Sequence, residues 1–246
     1  MSVRSFDAAW RAVSGVEGWM TRNQGEALYE AARGCPPGGR IVEIGSFQGR
    51  STIVLASAAP EGATVYAIDP HAGNDRGPEE FSGYELDAQH DHAAFLANLD
   101  EAGVTDRVTH LRMFSHDALA KIEGDVDVLY IDGAHRYDPA RADIRDWGRR
   151  VKPGGALLIH DAFSSVGVTL AILRELVFGR RFRYVGRSRS LAIYRADLRR
   201  GVGKNVARQL AQLPWFVKNL ALKVLLKLGV GKVLRRLGRE VPEWPY

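Results

Sequence analysis

Five short apolar segments recur along the chain: RIVEIGS at 40–46, TVYAID at 64–69, VTHLRM at 108–113, VDVLYID at 126–132 and GALLIHD at 155–161, with helix-length stretches between them. Runs of Ile, Val and Leu that do not alternate with polar residues are strands covered on both faces, and the spacing leaves room for the helical crossovers that parallel pairing requires. The pattern therefore predicts an α/β chain of Rossmann-like, doubly wound type. RFRYVGRS at 181–188 and SLAIYRA at 190–196 stand too close together for a crossover, which predicts an antiparallel hairpin at one sheet edge.

The flanks differ from this centre. Residues 1–35 read as one or two helices, with NQGEALYEAARG the clearest and Gly34 as its stop; residues 36–197 form the sheet domain; residues 198–246 are a separate helical tail. The net charge of +5 averages unlike parts, because the last 49 residues carry 11 Lys and Arg against 2 Glu, while the rest is slightly acidic. A nucleic-acid reading drawn from overall basicity would thus address the wrong region. A single cysteine, Cys35, excludes an internal disulfide framework, and no uncharged run reaches the roughly 18 to 20 residues of a spanning helix. Together with an N-terminus lacking a signal-like apolar stretch, this leads us to expect a cytoplasmic protein, soluble or peripheral at the inner face of a membrane.

In an open α/β sheet, ligands bind beyond the carboxyl ends of the strands. The first strand end gives VEIGSFQGRST: Glu43, then the turn Gly45, Ser46, Phe47 and Gly49, with Ser51 and Thr52 entering a helix whose free N–H groups suit an anion. The spacing is neither GxGxxG nor a P-loop. The second strand ends in Asp69, an acid suited to ribose hydroxyls, and with the first turn it points to a nucleoside-containing cofactor; the alternative is that Glu43 and Asp69 cap turns or pair with arginines. After the third strand, Phe114 could face an adenine and Ser115, His116 and Asp117 its polar edge, although SHDA equally serves as a helix start. The fourth strand delivers Asp132 and His135, the fifth His160 and Asp161.

These residues resemble a family. VEIGSFQGRST, AIDPH, VLYIDGAHRYDPARADIRDWGRRVKPGGALLIHDAF and the terminal hairpin are similar to the class I S-adenosylmethionine-dependent methyltransferases, and within them to the small O-methyltransferases related to the macrocin and mycinamicin enzymes. The likeness covers roughly residues 15–196 and implies a seven-stranded sheet whose last strand is antiparallel. It further implies that Glu43 and the Gly45 turn hold the methionine end of the cofactor and Asp69 its ribose, with Trp19–Thr21 folded over it as a lid. In metal-dependent relatives, carboxylates matching Asp132 and Asp161 bind Mg²⁺; the residue before the second, usually acidic there, is His160 here.

Methyl transfer to a hydroxyl needs an in-line nucleophile that loses its proton, and exclusion of water. His135 is the expected general base, an imidazole near neutrality. Asp132 and Asp161, with His160 as a further candidate ligand, are the expected Mg²⁺ site; without metal, Asp132 would orient His135 or take the proton itself. His135 capping the next helix, His160 as a structural or substrate contact and Tyr137 as a packing residue are the plainer readings. His71, His90 and His92 lie in a polar segment expected to cover the acceptor site.

In the tail, Val206, Leu210 and Leu213 have helical spacing, WFVKNLALKVLLKL is apolar on nearly all sides, and Val230, Val233, Leu234 and Leu237 form a stripe opposite Lys232, Arg235, Arg236 and Arg239. Segment 202–239 is expected to meet an anionic membrane surface or a protein partner, the alternatives being packing on the catalytic domain or across a homo-oligomer interface. Nucleic acid is not expected, since aromatic interleaving is absent. The function expected is O-methylation of a hydroxyl on a sugar, glycosylated natural product or glycolipid. The competing classes are a nicotinamide-dependent oxidoreductase and a non-catalytic cofactor-binding scaffold.

Overall fold

The computed structural model describes residues 3–72 and 85–227. The rest of the polar segment after Asp69, residues 73–84, and the stripe at 230–239 lie outside the described residues. Strands β1 (Arg40–Ile44), β2 (Thr64–Ile68), β3 (Val108–Leu111), β4 (Val126–Ile131), β5 (Val151–Ile159), β6 (Arg183–Ser188) and β7 (Leu191–Arg195) form one sheet in the order β3-β2-β1-β4-β5-β7-β6. The first five run parallel; β7 is antiparallel to both β5 and β6, as the close spacing of the last two strands required.

The uninterrupted apolar strands have a simple cause. Ile41, Val65, Val128, Tyr130 and Leu158 join one core layer, while Val42, Ile68, Leu129, Ile131 and Leu157 join the other, so successive side chains enter opposite cores. The first layer is covered by α1 (Phe6–Ala12), α2 (Arg22–Arg33), α3 (Arg50–Ala58) and α4 (Glu85–Glu101), the second by α6 (Tyr137–Gly148) and α7 (Val166–Ile172) after the short α5 (Ser115–Ala118). Strand order reverses between β1 and β4, which opens a crevice at their carboxyl ends. There the two strand ends come so close that a Cβ on Gly45, at φ +86°, would strike the carbonyl of Asp132. Glycine is what lets the first turn lie against the fourth strand end.

The tail begins with α8 (Val202–Leu210) and α9 (Leu213–Lys227). Of its expected apolar stripe, Val206 packs against the second core layer but Leu210 is exposed, and α8 buries Asn205 and Gln209. Asn205 accepts from Tyr184 N at 2.7 Å and donates to Phe182 O at 3.1 Å. These bonds satisfy main-chain groups at the open edge of the sheet, where β6 has no further strand to pair with. Among the described residues no helix is long and apolar enough to cross a membrane.

Candidate active site

A cavity of about 870 Å³ occupies the crevice at the carboxyl ends of β1, β2 and β4. That volume suits a nucleoside-sized ligand with room for a second molecule. Gly45, Ser46, Phe47, Ser51, Asp69, Ser115, His116, Asp132, His135, His160 and Asp161 all lie on its wall. Glu43 and Gly49, expected beside them, do not. Glu43 is fully buried, its carboxyl bonded by the hydroxyls of Ser51 and Thr52, and burial pushes its pKa to about 8 in spite of those two bonds. It ties the start of α3 to β1 instead of facing a ligand. Gly49, at φ +89°, is the N-cap of α3 and packs on Phe95.

Asp69 reaches the cavity, but its oxygens already hold three main-chain groups: Ser46 N at 2.9 Å, Phe47 N at 2.8 Å and His71 N at 2.8 Å. It shapes the first turn, in which Phe47 adopts φ +45° and meets the ring of Trp19 at 5.5 Å. Gly18, Trp19 and Met20 line the same wall. The Ser46 hydroxyl is buried there without a hydrogen-bond partner among the described residues.

Across the crevice stand two carboxylate–imidazole pairs. His135 Nε2 lies 2.6 Å from Asp161 Oδ2, and His160 Nδ1 lies 3.2 Å from Asp132 Oδ1 and 3.7 Å from Asp161 Oδ2. Tyr130 donates to Asp132 Oδ2 at 2.7 Å. Asp161 sits at φ +53° and Phe163 at φ +56°, left-handed conformations that cost non-glycine residues about 1–3 kcal/mol each. The bend aims Asp161 at His135, whose turn is held from the other side: Ser165 donates to His135 O at 3.2 Å, and a Cβ on Gly167 would collide with that carbonyl.

Burial by itself would lower the His135 pKa, but the hydrogen bond and charge of Asp161 outweigh it and the net shift is upward. His160, fully enclosed, is drawn up by Asp132 and Asp161 against the same burial. Asp161, which burial would raise, is held well below the usual carboxylate range by the two imidazoles. The expected partner of His135 is thereby corrected from Asp132 to Asp161. The expected metal site is corrected too. Asp132 and Asp161 are occupied by imidazoles whose charged forms they favour, and no cluster of three or more His, Cys, Asp or Glu among the described residues is suited to hold a metal ion. A hard dication requires free oxygen ligands, and an imidazolium beside them repels it; Asp132, Asp161 and His160 do not fit Mg²⁺.

Other residues came only with the fold. Gln24 of α2 approaches His160 Nε2 at 3.3 Å and donates to Ser190 Oγ at 3.2 Å. Asp143 of α6, on the cavity wall, accepts from Ser115 Oγ at 2.5 Å, and burial pushes its pKa to about 6 against that bond. Phe114, Leu119 and Trp147 surround this pair with apolar surface, a lobe suited to a flat heterocycle with a polar edge. His71 is buried among His92, Phe95 and His110, with ring centroids 5.0–5.5 Å away, and His90 is exposed. Tyr137 opens α6 and packs against the second core layer. The ThrxxGln spacing of a capping box, Thr21 to Gln24, marks the start of α2 in the sequence, but nothing in it points to His160.

Comparison with known proteins bears on the fold that carries this site. A family model described as a methyltransferase domain matches residues 42–162. An uncharacterized protein of Sinorhizobium fredii, y4gI, is 29% identical over 126 residues, which are 50% of this chain but only 13% of that protein. The O-methyltransferase NovP is 16% identical, with a TM-score of 0.57 over 79% of this chain and 89% of its own. TomG of Streptomyces achromogenes, an O-methyltransferase solved with S-adenosylmethionine, is 18% identical with a TM-score of 0.52 over 78% and 89%. An O-methyltransferase from Bacillus cereus solved with S-adenosylhomocysteine is 16% identical, again with a TM-score of 0.52, over 78% and 90%. At such identities the solved structures establish the fold.

Proposed function

We propose, from the premise that residues 42–162 are a class I S-adenosylmethionine-dependent methyltransferase domain, that the chain methylates a hydroxyl and that the His135–Asp161 pair takes the hydroxyl proton. The 2.6 Å contact between His135 Nε2 and Asp161 Oδ2 on the cavity wall carries this reading. S-adenosylmethionine supplies an electrophilic methyl group on a sulfonium. Ser46 and the first turn would hold its amino-acid end, and the lobe around Asp143 and Ser115 its adenine. Asp161 fixes the imidazole through Nε2, leaving Nδ1 to accept the proton as the acceptor oxygen attacks. Trp19 and Phe47 exclude water from that side.

The acceptor we propose is a hydroxyl of a sugar, a glycosylated natural product or a glycolipid. Support comes from the polar groups Arg136, Asp146 and His116 along the outer wall, and from the O-methyltransferases among the structural neighbours. The test is incubation of a cell extract with the protein and S-adenosylmethionine labelled in its methyl group, followed by mass spectrometry. A labelled product whose label is lost on cleavage of a methyl ether supports the reading, whereas label on nitrogen or carbon refutes it. Calorimetric titration with S-adenosylmethionine and with NAD separates it from an oxidoreductase.

A further inference from the structure

Between residues 180 and 227 the chain carries 13 Lys and Arg and one acid, Asp197, which is bound to Arg183 at 2.6 and 2.8 Å. Two further arginines of this region reach neutral acceptors, Arg187 donating to Gln212 Oε1 at 2.9 Å and Arg208 to Val185 O at 2.8 Å. Their positive charge is therefore not offset. Arg187 lies 3.8 Å from the ring centroid of Trp215, so the sheet edge, α8 and α9 present one continuous basic surface.

An apolar row runs through it. Val217, Leu220 and Val224 fall at helical spacing on α9 and are 61%, 37% and 49% exposed. Leu220 also lines the active-site cavity, as does Lys223, whose ammonium donates to Ser164 O at 3.1 Å and Oγ at 3.0 Å. On α7, exposed Val166 lies on that same wall, with exposed Leu170 one turn beyond. The row thus begins at the mouth of the cavity.

Charge and apolarity together select the occupant. Nucleic acid would neutralise the basic groups but leave the apolar row in water. A second copy would bring like charge onto like charge, and the rest of this chain, 228–246, is itself net basic. A surface that needs both anions and hydrocarbon is a lipid headgroup boundary. We propose that this face of α9, with the adjoining edge of β6 and α8, seats on an anionic membrane, and that the acceptor enters the cavity from it as an amphiphile. The second half rests on the methyltransferase reading; the first does not.

The full chain should float with vesicles of phosphatidylcholine and phosphatidylglycerol, and not with phosphatidylcholine alone. Val217→Asp/Val224→Asp should abolish flotation by placing carboxylates in the apolar row, and Lys204→Glu/Lys218→Glu should separately weaken partitioning by at least about 25-fold, since each basic residue near the surface contributes about fivefold. All four side chains are exposed, so S-adenosylmethionine affinity measured in the same samples should be unchanged. Failure of the intact chain to float, or undiminished floating of either double variant, overturns the membrane proposal. Loss of cofactor binding in the intact chain would instead overturn the methyltransferase reading.

Discussion

Gln24 and His160, 136 positions apart, meet at 3.3 Å in the buried floor of the active site. The contact joins the helix behind the cavity lid to the carboxyl end of β5. The Gln24 amide has a fixed orientation, because Oε1 accepts from Thr21 N at 2.8 Å and its nitrogen must then face His160 and Ser190.

Replacing Gln24 should therefore disturb the lid and the floor together. Gln24→Leu leaves Thr21 N, Ser190 Oγ and His160 Nε2 without their partner, and a buried polar group left unsatisfied costs about 1–3 kcal/mol. The expected outcome is a lower thermal midpoint with weaker S-adenosylmethionine binding, whereas Gln24→Glu, which can still accept from Thr21 N, should retain most of the stability. Calorimetric scans and titrations of both variants check this.

His135→Ala should keep cofactor affinity and lose about 10²–10⁴-fold in turnover, the usual contribution of a general base. Since Asp161 raises the pKa of His135, the neutral, proton-accepting form should become dominant only above the ordinary imidazole range of about 6.5. The acid limb of the rate profile should lie there and move to lower pH in Asp161→Asn. The same pair links folding to pH. The part due to His135 is full below its unfolded pKa and disappears as pH rises through the raised folded value; the part due to Asp161 is present above its unfolded pKa and disappears as pH falls through the depressed one.

Chelation should leave methyl transfer unchanged. Asp132 and Asp161 already face imidazoles, so EDTA removes nothing that this site uses. Rates with EDTA and with added Mg²⁺ should agree, and a strict requirement for the ion would refute the paired arrangement.

Glu43 yields a prediction of the opposite sign to most carboxylates. Its pKa is raised to about 8 from an unfolded value of about 4.3, so its contribution to stability is greatest below the unfolded pKa and declines as pH rises toward the folded one. Glu43→Gln should flatten that decline, measured as unfolding free energy across the pH range, with little effect on cofactor affinity because the side chain does not reach the cavity.

The sequence by itself determined the layering of the sheet, the hairpin at its edge and the strand ends that carry Asp69, Asp132, His135, His160 and Asp161. Those follow from local causes: apolar runs long enough for one strand, and polar residues where each run stops. Pairing was decided only by tertiary structure. Asp161 turned to His135 because a left-handed bend redirects it, Glu43 turned into the core because the hydroxyls of α3 meet it there, and α8 buried its amides because an unpaired strand edge demands hydrogen bonds. Which of several nearby partners a polar side chain takes depends on distances between segments far apart in the chain, and no periodicity records them.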